Sequence, residues 1–264
     1  MELAGRSVLL TGATGGIGHA IARAVAARGA SLVLSGRRTD VLEALAREVH
    51  GRTLAADLRD AATVERLLDE AGEVDVLVAN AALPASGRLH DFSARDIDAA
   101  VAVNLTAPMQ LARALAPRLV ERGAGHLVFV SSLSGKAATQ GGSVYSATKF
   151  GLRGFSAALH AELGPADVGV SCVFPGFVRE AGMFHDSGAR LPWFVGTSTP
   201  QDVARGVVRA IEHERCEVDV APLGLRLGAA LAGLAPGPVS RVNRLLGADR
   251  VADELAAGQR DRRG

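Results

Sequence analysis

The chain has 264 residues, a length that fits one sizeable core and requires no second domain. Its 29 Lys and Arg against 28 Asp and Glu leave a formal charge of +1, too weak a field to make nucleic acid the main partner through counterion release. Cys172 and Cys216 lack metal-ligand spacing and, with no secretory leader in the sequence, predict a reduced, cytoplasmic setting. No uncharged apolar run reaches the 18 or more residues of a membrane helix, and the best candidate, 227–239, is broken by Gly233, Pro236, Gly237 and Pro238.

The first element is an apolar strand, Ser7-Val-Leu-Leu10, followed by Thr11-Gly-Ala-Thr-Gly-Gly-Ile-Gly18 and an Ala-rich helix over 19–28. Strand, glycine turn and helix in that order make a dinucleotide site. Gly12 permits the tight turn, Gly16 lets backbone approach a pyrophosphate, Gly18 lets helix pack on sheet, and free N–H groups at the helix start meet negative charge. Further short runs rich in Val and Leu follow near Leu32, Leu54, Val76, Val128, Val170 and Val218, separated by longer segments of helical periodicity. This alternation predicts an α/β fold: a single Rossmann-like, doubly wound parallel sheet with helices on both faces and ligands at the carboxyl ends of the strands.

The run His126-Leu-Val-Phe-Val-Ser-Ser132 ends in Ser132, and thirteen residues later comes Tyr145-Ser-Ala-Thr-Lys149. Side chains four apart stack on one helix face. The Lys149 ammonium is therefore expected to favour the Tyr145 anion and lower the phenol from its reference value of about 10. A tyrosine so tuned trades a proton with an alcohol or ketone near neutral pH.

These elements together resemble the short-chain dehydrogenase/reductase family, in its compact branch, over 3–220. The resemblance assigns Gly12, Thr14, Gly16, Ile17 and Gly18 to the cofactor loop, Asp57 to the adenine amino group with Leu58 beside it, and Asn80 in Ala79-Asn-Ala-Ala82 to the cofactor wall. Asn104, Ser132, Tyr145 and Lys149 match the catalytic tetrad, and Pro175, Gly176 and Val178 the turn that holds the nicotinamide amide. By the same resemblance Tyr145 is acid in reduction and base in oxidation, and Ser132 hydrogen-bonds the reacting oxygen. Asn104 supports a water-linked proton path, and Lys149 binds the nicotinamide ribose and stabilises the tyrosinate. No metal is implied. Two departures matter: Ala79 and Ala82 stand where the family has Asn and Gly, and Glu180 stands where many relatives carry a threonine that bonds the carboxamide; an ionised glutamate only accepts.

The second strand ends in Ser35-Gly-Arg-Arg38, with no carboxylate to bind both adenosine ribose hydroxyls. Arg37 suits a 2'-phosphate, so NADP(H) is expected over NAD(H), which stays open. The expected function is NADP-dependent hydride transfer between nicotinamide and a small-molecule carbonyl or secondary alcohol. An NAD-dependent alcohol dehydrogenase of the same family and a non-catalytic cofactor-sensing protein are the alternatives. Residues 1–222 form the expected domain, with a lid at about 182–200 whose Met183, Phe184, Leu191, Pro192, Trp193, Phe194 and Val195 favour an apolar substrate. Residues 223–264 are expected as a helical extension packed on the domain with a frayed end, the alternative being an amphipathic segment against a membrane or subunit. Relatives pair the helices corresponding to 104–122 and 145–163 across subunits, which implies a homodimer or homotetramer.

Overall fold

Runs such as Val8-Leu-Leu10 form strands because every residue has apolar neighbours on one face or the other, and branched side chains fit a pleated surface. The computed structural model describes residues 1–193, 195–245 and 247–260. Its strands are β1 (Ser7–Thr11), β2 (Ser31–Gly36), β3 (Arg52–Ala55), β4 (Val76–Ala79), β5 (Gly125–Val130), β6 (Val168–Pro175) and β7 (Glu217–Val220). They form one parallel sheet in the order β3-β2-β1-β4-β5-β6-β7. Each strand expected from the sequence lies in it. The order reverses between β1 and β4, and a crevice opens outside the strand ends at such a switch point.

Alternation along the strands sends neighbouring residues to two separate cores. Val8, Leu10, Leu34, Val78 and Val128 pack against α1 (Gly16–Ala26), α2 (Thr39–Val49) and α8 (Pro200–Glu212). Leu9, Leu77, Leu127, Phe129 and Phe174 face α3 (Ala61–Ala71), α5 (Ala107–Arg122) and α6 (Ser143–Leu163). Between these, α4 (Ala94–Val101) runs through a π-helical turn, Ala102–Thr106, into α5. That bend carries Asn104.

After the sheet's last long strand the chain makes the short helix α7 (Gly182–Ser187), so the expected lid is helical in its first part. The extension forms α9 (Leu223–Leu234), α10 (Pro236–Leu245) and α11 (Ala248–Gln259). Helix α11 packs on α7. By contrast α9 buries only Ala229. Phe194, Leu246 and 261–264, part of the expected lid and tail, lie outside the described residues. Among the described residues no helix is long and apolar enough to cross a membrane.

Candidate active site

The glycine loop is shaped by contacts that leave no room for side chains. Gly12 takes φ +66°, and a Cβ there would lie 2.6 Å from Ala81 Cα; only glycine meets both demands at low cost. A Cβ on Gly18 would lie 2.8 Å from Ala13 Cα and overlap the Gly12 carbonyl, so this glycine seats α1 on the sheet. Asn80 fixes the loop from the next strand: its Nδ2 donates to the carbonyls of Thr11 at 3.3 Å and Gly12 at 3.1 Å. Thr11 Oγ1 accepts from the N–H groups of Asn80 and Ala81, both at 3.2 Å. The position above Gly16 is filled by the methyl of Ala181, and Gly182 packs on Ile17. The segment leading into α7 thus rests on the glycine loop.

At the end of β2, Arg37 is exposed and lines a cleft with Asp57, Thr63, Arg66 and Glu70. Arg38, which sequence reasoning did not single out, donates to the carbonyl of Thr14 and ties the β2 end to the glycine loop. Asp57 is not a free acceptor. Arg59 Nε reaches both its oxygens at 3.0 Å, and this fork, with the Arg59 N–H and the nearby Arg37 charge, holds the carboxyl below its ordinary value. Leu58 is packed into the core beside Val64 and Leu67.

Ser132, Tyr145 and Lys149 are brought together where β5 ends against α6. Ser132 follows β5 in extended conformation, and its Oγ accepts from Ser134 N–H at 3.1 Å. Gly135 makes the approach possible: a Cβ there would lie 2.7 Å from the Lys149 carbonyl oxygen and 2.8 Å from Ser131 Oγ. Tyr145 is half-buried against Phe92, Ile97 and Val144. Lys149 is almost fully buried, its Nζ donating to the Val130 carbonyl at 3.0 Å and lying 5.6 Å from the Tyr145 ring centre.

The electrostatics reverse the expectation of a lowered phenol. Burial pushes Tyr145 up to about 12, and its hydrogen bond with Ser132 offsets this only in part. Lys149 is pulled down to about 8, again chiefly by burial. The spacing of four does place both groups on one helix face. What the spacing does not contain is the desolvation of the anion by the wall around it.

Asn104 is fully buried and its side chain is committed. Its Oδ1 accepts from Leu83 N–H at 2.7 Å, its Nδ2 donates to the Leu83 carbonyl at 3.0 Å, and Thr148 Oγ1 lies 3.5 Å away. This pins the chain after β4 to the π-helical bend. Pro175 ends β6, Gly176 N–H donates to Val220 at 3.0 Å, and buried Val178 bridges to Ser198. Glu180 takes φ +72°, an uncommon conformation for a residue with a side chain. Its carboxylate is held by Arg179 at 3.1 Å.

Helix α11 packs on α7 and on two loops of the domain. Gln259 accepts from Ser86 N–H at 3.3 Å and donates to the Met183 carbonyl at 3.4 Å. Glu254 accepts from Arg190 N–H at 2.8 Å, and Ala252 abuts Gly141. One helix therefore joins the loop after β4, the loop before Tyr145 and the lid. No periodicity in the sequence pairs Gln259 with Ser86.

Residues 6–191 match the short chain dehydrogenase family, and the chain belongs to it. It is an NAD(P)-dependent oxidoreductase of that family. It is 36% identical over 259 residues to a ketoacyl reductase, HetN, of Nostoc sp., covering 93% of this chain and 90% of that one. A short-chain dehydrogenase from Sphingobium yanoikuyae in complex with NADPH superposes with a TM-score of 0.77 at 31% identity, over 89% of this chain and 95% of that one. A family member from Burkholderia phymatum in complex with NAD gives 0.78 at 25% identity, over 89% and 96%.

Proposed function

We propose that the chain is an NADPH-dependent reductase of apolar ketones, of the ketoacyl kind, with Tyr145 as proton donor. The observation that carries this is the convergence of the Ser132 hydroxyl, the Tyr145 phenol and the buried Lys149 ammonium, 5.6 Å from the Tyr145 ring centre, where β5 ends against α6. A proton donor has to carry its proton at working pH, and Tyr145 meets that condition for carbonyl reduction. The reduced nicotinamide supplies the hydride when bound. The reacting carbonyl oxygen sits between Ser132 Oγ and the Tyr145 hydroxyl, whose donors stabilise the negative charge that develops there. As the carbonyl carbon gains hydride, Tyr145 gives its proton to the oxygen. Lys149, buried beside the resulting tyrosinate, supplies the compensating charge, and solvent returns a proton to Tyr145. Ketoacyl chemistry is supported by the Nostoc relative and by the half-buried apolar lid side chains Met183, Phe184 and Leu191. Two free cysteines agree with a reducing, cytoplasmic location. A panel of 3-ketoacyl thioesters, steroids, simple ketones and their alcohols, with both cofactors and read at the nicotinamide absorbance, tests this; absence of reduction across the carbonyl panel would refute it.

Cofactor choice is proposed from Arg37, exposed at the end of β2 with no carboxylate in Ser35-Gly-Arg-Arg38 to repel a 2'-phosphate. Arg38 is engaged with Thr14. A charge-assisted hydrogen bond contributes roughly 1.5 to 3 kcal/mol, so Arg37→Ala is expected to weaken NADPH binding about tenfold to a hundredfold and leave NADH unchanged. Fluorescence titration at fixed salt reads this, and undiminished NADPH affinity would remove Arg37 from the phosphate site. Adding a carboxylate at Gly36 is a poorer test, because its Cβ would lie 2.9 Å from Thr14 Cγ2 and disturb the loop itself.

A homodimer or homotetramer is proposed through α5 and α6, on which Met109 and Phe150 stay exposed. Light scattering at assay concentration is expected to give twice or four times the chain mass; a monomer would contradict it.

A further inference from the structure

Helix α9 reads Leu223-Gly-Leu-Arg-Leu-Gly-Ala-Ala-Leu-Ala-Gly-Leu234, with Arg226 as its one polar side chain. A helix so apolar all round is ordinarily buried in a core or in lipid. Here it lies on the surface with only Ala229 buried. Leu223, Leu227, Leu231 and Leu234 are exposed to 65%, 57%, 59% and 84%, and their spacing of four, four and three keeps them on one face. Leu225 turns the other way, toward Gly176, and Pro222 packs on Gly196 of the lid. Trp193, three residues before Gly196, is 95% exposed. The stripe thus adjoins the mouth of the site.

Charge decides what covers it. From Val220 to Ala248 the sequence holds no acidic residue and three arginines. Arg226 lies 3.7 Å from Asp219, while Arg241 and Arg244 are exposed on α10, which packs on α9. A second copy docked on the same face would bring the exposed Arg241 and Arg244 toward their own copies, with no carboxylate between Val220 and Ala248 to neutralise them, while Arg226 is already paired with Asp219. An anionic bilayer surface accepts both parts: leucines enter the boundary of the acyl chains, arginines meet lipid phosphates, and an exposed tryptophan suits that depth. We propose that α9 and α10 dock this protein on an anionic membrane surface, lying on it and not crossing it, with the site mouth turned toward a source of apolar substrate.

Co-sedimentation of the full chain tests this without reference to turnover, so it stands apart from the reductase proposal. Vesicles of phosphatidylcholine carrying one-quarter phosphatidylglycerol are expected to pull the protein down, phosphatidylcholine alone far less, and about 0.5 M salt to weaken the binding, as screening requires. The double variant Leu227→Glu with Leu231→Glu should lose at least about tenfold in partition. Its unchanged thermal midpoint and NADPH affinity would show that these exposed positions do not serve the fold. Arg241→Ala with Arg244→Ala should weaken anionic binding and leave the residual binding to phosphatidylcholine alone. No sedimentation of the parent, equal binding to both vesicles, or undiminished binding by the leucine variant would overturn the proposal. So would leucine variants that fall apart from oligomer to monomer in a protein that ignores vesicles, which would make the face a subunit contact.

Discussion

Tyr145→Phe is expected to slow single-turnover reduction by about two to four orders of magnitude, the usual worth of a positioned acid or base. The change removes one oxygen. The ring still fills its place against Phe92, Ile97 and Val144, and the lost hydrogen bond is the one with Ser132. Thermal stability should therefore shift little, and NADPH affinity should stay near parental because Arg37, Asn80 and the glycine loop are untouched. The loss follows from the missing hydroxyl: burial holds the parent phenol protonated, and the variant has no proton to give. Stopped-flow absorbance of the nicotinamide separates the chemical step from product release. A variant that reduces an identified ketone at near-parental rate would show that another group donates the proton. Lys149→Ala should instead affect binding and rate together, since its ammonium is buried beside both the tyrosine and the cofactor side of the crevice.

The second large effect concerns stability and pH. His126 sits in β5, fully buried, with Nε2 2.8 Å from Ser171 Oγ and its ring lying over Gly169 of β6. Its Nδ1 has no hydrogen-bond partner. Burial, helped by the amino-terminal charge, pulls the ring down from 6.5 to about 4. Below pH 6.5 the unfolded chain therefore takes up a proton that the folded chain refuses, and stability falls as pH falls. The window runs from 6.5 down to about 4, and at 1.36 kcal/mol per unit the loss across it is about 3 kcal/mol. Carboxylates held low by their partners, such as Asp57 and Asp202, lose stability at lower pH, as acid falls through their depressed values. Urea unfolding of the parent and His126→Gln at pH 7 and at pH 4.5 isolates the histidine. The variant should lose much less stability than the parent between those two values; equal losses would mean that the buried ring does not carry the dependence.

The sheet, its helical covers and the glycine loop were legible in the chain because each rests on local chemistry. Val8-Leu-Leu10 needs only neighbours on both faces, Gly12 only a turn with positive φ, and Tyr145 and Lys149 only one helical turn between them. The family resemblance likewise rested on residues in order along the chain. Other properties depend on groups distant in sequence. Asn104 could be named as a site residue, but not that its side chain would be spent on Leu83, because that pairing needs the π-helical bend to meet the chain after β4. Arg37 and Arg38 look alike in sequence; packing ties one to Thr14 and leaves the other exposed. The seating of α11 joins Gln259 to Ser86 across 173 positions. The direction of the Tyr145 shift turned on the same cause. Spacing places Lys149 near the ring, whereas desolvation depends on every wall the fold brings around the phenol, and here it outweighs the lowering by the Ser132 hydrogen bond.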